Sequence, residues 1–253
     1  MTLIVNLSTT HDYSIDKTVA AFVQICNQHS KGCLQSMPGF FQNWTNYAWV
    51  MAKYQANYTS LIEPYKLGKI STPEFLDNLS KIFYFMQDMD KETRDSLLAN
   101  AWNASIKISE KTQDRLSQLV EEAKTQPVYL ISNTNELNVT AILALFKESN
   151  PDLKFNEAVD TSIMDSKEPI EILPNIYLCL SYRFGAFKTE AVSTVSLLED
   201  LSKKSVSPIT LVSQYLGDLK KGEQLGLDKV LNAEDFYYPI MDDRLQKNAN
   251  NSV

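Results

Sequence analysis

The sequence predicts an α/β fold in which a doubly wound, mainly parallel sheet carries an inserted all-helical segment. Three observations lead there. Short apolar runs at Leu3 to Val5, Val128 to Ile131, Ile176 to Ser181 and Ile209 to Ser213 each break into a polar segment, as strands buried on both faces do. Helix-period stretches separate the later runs, the alternation that builds parallel sheets. Between Met37 and about Trp102 no β-rich run appears and aromatic residues crowd together, which places a helical block inside the α/β pattern.

The elements follow in order. Leu3-Ile4-Val5 ends in Asn6-Leu7-Ser8-Thr9-Thr10, a strand breaking into a polar loop, and Ser14 caps a helix with Ile15, Val19, Phe22 and Cys26 on one stripe. In the helical block, Trp44, Tyr47 and Met51 recur at helical spacing, a pattern expected of core residues. Ser71-Thr72-Pro73-Glu74 is a capping box with Pro in the first turn, opening a helix with Phe75, Leu79, Ile82, Phe83 and Met86 inward. Another helix spans Leu97, Leu98 and Trp102. Ser109 starts a helix (Leu116, Leu119, Val120, Ala123) that feeds the strand at Val128. That strand runs into Ser132-Asn133-Thr134-Asn135, and a helix with Leu137, Ala141 and Leu145 follows. A strand delivering a hydroxyl to its C-terminal end beside a helix N-terminus is where α/β proteins bind anions.

The stretch from Asn150 to Asn175, with Pro151, Pro169 and Pro174, holds either an extra β element or a long loop. A helix bearing Val192, Val195, Leu198 and Leu201 precedes the strand at Ile209. The expected organisation is an α/β core of residues 1–13 and 108–240, a helical cap of residues 14–107, and a polar tail of residues 241–253.

Composition narrows the function. The chain has 253 residues and a formal net charge of -7, with a pI near 5.0. Nucleic acid is not expected as a partner, because binding a phosphate backbone needs a basic face. Cys26, Cys33 and Cys179, an odd number without CxxC spacing, are expected to be reduced thiols. Cys26, His29 and Cys33 lack a fourth ligand for a metal. The start Met1 to Asn6 has neither a charged leader nor a membrane-length apolar segment. The expected location is the cytoplasm, with no membrane association; a non-classical bacterial export route needs no such signal and stays open.

Motif by motif, the chain resembles the haloacid dehalogenase (HAD) superfamily, with a Rossmann-type core and a helical cap inserted after the first motif. Ser132-Asn133 is similar to the second motif, a hydrophobic strand ending in Ser or Thr. Ser181 to Lys188 is similar to the third, a Ser, a Gly and then a Lys, although Thr189 stands where Pro is usual. Leu211 to Leu227 resembles the fourth motif with its downstream helix and Leu-Gly ending. The resemblance implies a pair of aspartates after the first strand, one nucleophilic and one acid/base, and acidic Mg2+ ligands in the fourth motif. Asn6 and Ser8 stand at the first pair, Ser213 and Gln214 at the second. An amide is no carboxylate nucleophile, and Mg2+ prefers anionic oxygens.

What the resemblance leaves is Ser132, Asn133 and Lys188 as anion-binding candidates, with Asn6, Ser8, Ser213 and Gln214 as degenerate metal positions and Mg2+ lost. Asp12, Asp160, Asp165 and Asp218 are acids that would have to replace a missing carboxylate; each is expected in a cap, loop or surface role, and His11 on the surface. The reading that follows is a non-catalytic binding or regulatory pseudo-enzyme with a small anion or protein partner between core and cap. The alternatives are a HAD phosphohydrolase or dehalogenase with relocated acids, and an interaction scaffold.

Overall fold

Every residue of the first strand is buried, and the sheet is built outward from it. The computed structural model describes residues 1–29, 39–83, 86, 88–157, 159, 161–162, 167–189, 196–205 and 207–238, without the side chains of residues 39–43 and 111. Cys33, Asp160, Asp165, Val192, Val195 and the tail expected at residues 241–253 lie outside the described residues. In chain order the strands are β1 (Thr2–Asn6), β2 (Asp12–Tyr13), β3 (Ile106–Lys107), β4 (Val128–Ser132), β5 (Ile170–Leu173), β6 (Ile176–Leu180), β7 (Ile209–Ser213) and β8 (Lys229–Asn232). Six of them form one sheet in the order β5-β6-β4-β1-β7-β8, and β2 pairs with β3 in a separate ribbon. All pairings in the large sheet are parallel except that of β5 with β6.

Period-two alternation explains why β1 sits at the centre. Leu3 and Val5 face one layer, with Leu116, Leu119, Val139 and Phe146. Ile4 faces the other, with Ile131, Leu198 and Leu211. Leu3 pairs with Val128 and with Thr210, so the C-terminal ends of β1, β4 and β7 lie side by side.

The helical insertion comprises α1 (Ile15–His29), α2 (Gly39–Ala56), a π-helical turn at Tyr58–Ile62, α3 (Glu63–Lys66), α4 (Thr72–Ile82) and α5 (Lys91–Asn103). Its own core gathers Val19, Phe22, Phe75, Leu79, Leu98 and Trp102. Ser71 caps α4 by accepting from the Glu74 N–H. Back in the α/β unit come α6 (Glu110–Gln113), α7 (Arg115–Ala123), α8 (Glu136–Ser149), α9 (Ser181–Phe184), α10 (Leu197–Lys204), α11 (Leu216–Gln224) and α12 (Ala233–Tyr237). None of the described helices is long and apolar enough to cross a membrane.

Two sequence expectations need correction. Of the stripe Trp44, Tyr47 and Met51, only Met51 packs against the core of the insertion, and it is partly buried; Trp44 is 67% and Tyr47 39% exposed. The periodicity of α2 is real, but its inner face carries Val50 and Asn46, whose amide donates to Asn27 Oδ1 at 2.6 Å. In α8 the buried side is Val139, Ile142, Leu143 and Phe146, rotated from the anticipated Leu137, Ala141 and Leu145, which are only partly buried. Asn135 caps that helix, accepting from the Asn138 N–H at 3.1 Å.

The insertion is tied to the sheet at a few points. Trp102 Nε1 donates to Asn138 Oδ1 at 3.2 Å, and the Leu137 N–H to the Tyr65 hydroxyl at 3.3 Å. Ser181 Oγ donates to the Lys66 carbonyl at 2.7 Å. Two residues on, Gly68 has a φ of +67°, and a Cβ there would stand 1.9 Å from the Tyr182 carbonyl oxygen. Gly68→Ala therefore meets both a left-handed backbone and a backbone clash, and we expect a loss of about 2–3 kcal/mol in urea unfolding. A cost below about 0.5 kcal/mol would show that this junction yields freely.

Candidate functional site

Three parallel strands bring their C-terminal ends together under the helical insertion, and the side chains at those ends meet. Asn6 closes β1 and is 1% exposed. Its Oδ1 accepts from the Ser8 N–H at 3.1 Å and the Ser8 hydroxyl at 2.8 Å, which closes the short 3-10 turn after the strand. Its Nδ2 donates to Asp218 Oδ2 at 2.7 Å. The same carboxylate oxygen accepts from Ser213 Oγ at 2.6 Å and Lys188 Nζ at 2.9 Å. Thus Asp218 is the hub of this cluster, contrary to the expected capping or surface role. It is 2% exposed. The reason is local: the first turn of α11 carries the chain back over the end of β7, so a residue four positions past Gln214 returns to the strand ends.

A cavity of about 320 Å³ opens beside the cluster. Asn6, Ser8, Ser132, Asn133, Lys188 and Asp218 line its strand-end part. Asn133 Oδ1 accepts from the Lys188 N–H at 2.7 Å and so fixes the segment that delivers Lys188. The Lys188 ammonium also lies 4.5 Å from the centre of the Tyr215 ring, a cation–π contact. Ser213 lies buried behind Asp218, while Gln214 is exposed and reaches only Ser8 Oγ, at 3.5 Å. Asp12 sits in β2, outside the cavity lining.

Two lining residues change the electrostatics that the sequence suggested, in which Lys188 is the one charge. From the insertion, Lys66 enters the cavity wall. It has no carboxylate partner among the described residues, and burial together with the Lys188 charge pushes its ammonium below the ordinary lysine range. As ammoniums, Lys66 and Lys188 against one Asp218 carboxylate leave the lining at +2 - 1 = +1. His11, expected on the surface, is 6% exposed and also lines the cavity. Burial holds its pKa down at about 4, outweighing the Leu7 carbonyl and the Asp12 charge, which favour the imidazolium. Neither Lys66 nor His11 carries a sequence signal: each stands singly, outside any strand-end motif.

The donor set does not suit Mg2+. Asn6 Oδ1 is committed to Ser8, and the single carboxylate in the lining is already paired with an ammonium. A divalent ion here would compete with Lys188 for Asp218 and find no second anionic oxygen, where hard cations look for several. Among the described residues no group of three or more His, Cys, Asp or Glu is placed to hold a metal ion.

A mainly parallel six-stranded sheet with a helical insertion after its central first strand is the HAD fold. Solved structures agree. The chain is similar to a HAD family enzyme from Bacteroides thetaiotaomicron in its magnesium complex, with a TM-score of 0.61 and 16% identity over 95% of this chain and 98% of that one. The wild-type form of that enzyme in complex with magnesium and inorganic phosphate gives 0.58 and 14% over 90% and 91%. A predicted HAD-like family hydrolase from Porphyromonas gingivalis gives 0.55 and 14% over 97% of each chain. No family model matches the sequence, and no curated protein matches it.

Proposed function

We propose that this HAD-fold chain is a pseudo-enzyme: a binding protein that recognises a small oxyanion between core and cap without a metal. The observation that carries the reading is the triple use of Asp218 Oδ2 by Asn6, Ser213 and Lys188. In the relatives' fold this corner is where magnesium chemistry is anticipated, yet here its one carboxylate is spent on internal bonds. What remains for a ligand is the Lys66 ammonium with the Ser132 hydroxyl and the Asn133 amide N–H, three donors suited to a phosphate, sulfate or carboxylate. Lys66 then gains the anionic partner it lacks.

One observation favours the rival reading of a phosphohydrolase or dehalogenase with a relocated acid. Asp218 is a carboxylate inside the cavity lining, and its Oδ1 makes no hydrogen bond among the described residues. The two readings part in one assay. We expect inorganic phosphate to raise the melting temperature equally with Mg2+ or with chelator, Lys66→Met to abolish that rise, and p-nitrophenyl phosphate to turn over no faster than in buffer. Turnover that disappears on adding chelator overturns the proposal. Asn6→Asp adds a converse check. It turns the 2.7 Å donor contact with Asp218 into carboxylate repulsion, so the variant should melt lower in chelator and recover with Mg2+.

A further inference from the structure

The anion donors occupy one part of a cavity of about 320 Å³, a volume in the range that holds small organic ligands and far larger than an inorganic oxyanion needs. Tyr13 and Tyr215 line it too, and both reach solvent, at 48% and 43% exposed, so they stand at its entrance. Tyr58, also exposed, joins them: its ring centre lies 5.7 Å from the Lys66 ammonium in the cavity wall. Burial of the Tyr13 phenol, then the nearby Tyr215 and Tyr58 phenols, push its pKa above the ordinary tyrosine range. The three come from separate elements: β2, the residue before α11, and the π-helical turn of the insertion. Among the described residues eight large apolar side chains are exposed, and three of those eight gather here. Aromatic surface left in water is unfavourable, and its concentration at a cavity mouth marks a place that a ligand covers.

The partners of these rings say which ligand. Tyr58 meets Tyr54 at 6.1 Å between ring centres. By contrast, neither Tyr13 nor Tyr215 packs on another aromatic ring among the described residues; Tyr215 has only the Lys188 ammonium, 4.5 Å from its centre. The wall between this entrance and the anion donors includes Ile106, Ile142 and Asn138. Asn138 is spent internally: its Oδ1 accepts from Trp102 Nε1 at 3.2 Å and its Nδ2 donates to Asn103 Oδ1 at 3.1 Å. A polyol beside these three would leave hydroxyls unpaired, whereas a flat apolar ring would not.

Resting on the anion-binding reading, we infer that this cavity selects aromatic oxyanions, with the charged group at Lys66, Ser132 and Asn133 and a planar ring stacked at the entrance on Tyr13 and Tyr215. The ligand class is an aryl phosphate, sulfate or carboxylate rather than an inorganic anion or a sugar phosphate. Lys66 holds the charge; the two tyrosines select what is attached to it.

Calorimetric titration of the full chain in chelator, at about pH 8 where all are mainly dianions, compares inorganic phosphate, cyclohexyl phosphate and phenyl phosphate. Both esters carry a six-membered carbon ring, and only one ring is flat and aromatic. Apolar burial alone favours the bulkier cyclohexyl ester, so a preference for phenyl reports stacking. Phenyl phosphate should bind about fivefold tighter than cyclohexyl phosphate, since stacked rings gain beyond their buried area. In the double variant Tyr13→Leu with Tyr215→Leu the ratio should fall to about one or below, with inorganic phosphate bound as before. Tyr13→Phe with Tyr215→Phe keeps both rings and should keep the ratio. The ring protons of phenyl phosphate should also move upfield on binding the native chain, as the ring current above a tyrosine face requires, and not on binding the leucine variant. Equal or reversed affinities for the two esters, a ratio that survives both leucines, or ring protons that do not move overturns aromatic selection while leaving anion binding intact. Failure of all three anions to bind overturns the anion-binding reading and this one together.

Discussion

Replacing Asp218 with Ala should cost about 3 kcal/mol of unfolding free energy and, in the same protein, tighten phosphate binding about tenfold. The two effects have one cause. Asp218 and Lys188 form an ion pair at 2.9 Å with side chains only 3% and 11% exposed. Removing one partner strands the other charge together with the donors of Asn6 and Ser213, and a broken buried pair typically costs about 3–5 kcal/mol. The lower end applies because Lys188 borders a cavity that water can enter. For a chain of this size that is a drop of about 10 °C in melting temperature. The double variant Asp218→Ala with Lys188→Met should recover at least half of the loss, since a buried pair replaced as a whole is often near neutral.

Binding moves the other way because the cavity lining goes from +1 to +2 once the internal carboxylate is gone. A second cation within reach of the same oxyanion is worth about a factor of ten in a partly buried setting. Weaker phosphate binding in Asp218→Ala would instead show that Asp218 organises the anion site. A stability change under about 1 kcal/mol would leave the carboxylate free for chemistry and favour the hydrolase reading.

How much of this could be read from residues alone depends on how each position signals its environment. The strands of the sheet centre were legible because burial on both faces forces unbroken apolar runs such as Leu3-Ile4-Val5, and all are buried. Of the edge strands, β5 falls in the stretch where an extra β element was one of two readings, and β8 was not legible. Lys229-Val230-Leu231-Asn232 faces solvent at both ends and carries too few apolar residues to stand out. Helical spacing located α2 but not its inner face, because a polar pair, Asn27 and Asn46, replaces hydrophobes there. In the site, Asn6, Ser132 and Ser213 close strands, where position along the sheet fixes position in space, whereas Lys188, eight residues past β6, was found through the resemblance to the third HAD motif. Asp218 was weighed from the sequence as a relocated acid, and its return to the strand ends follows from the first turn of α11; Lys66 depends on how the insertion docks, which nothing in its sequence neighbourhood encodes.

Between pH 7.5 and pH 4.5 the chain should lose about 2–3 kcal/mol of stability through His11 alone. The folded state holds the imidazole neutral, with a pKa of about 4 against an ordinary 6.5, because burial penalises the charged ring more than the Leu7 carbonyl and Asp12 favour it. With a folded pKa depressed below the unfolded one, the unfolded chain binds the extra proton first. Stability is therefore complete above about pH 6.5, falls as the pH drops toward 4, and levels off below it. At ~1.4 kcal/mol per pH unit the whole gap amounts to about 3 kcal/mol. Carboxylates also titrate in this window, so the measurement is a difference: urea unfolding of the native chain and of His11→Gln at both pH values. The native chain should lose about 2–3 kcal/mol more than the variant, the variant being the less pH-sensitive of the two because it has no ring to protonate. Parallel losses would mean that His11 charges as easily folded as unfolded, and that burial does not penalise its imidazolium.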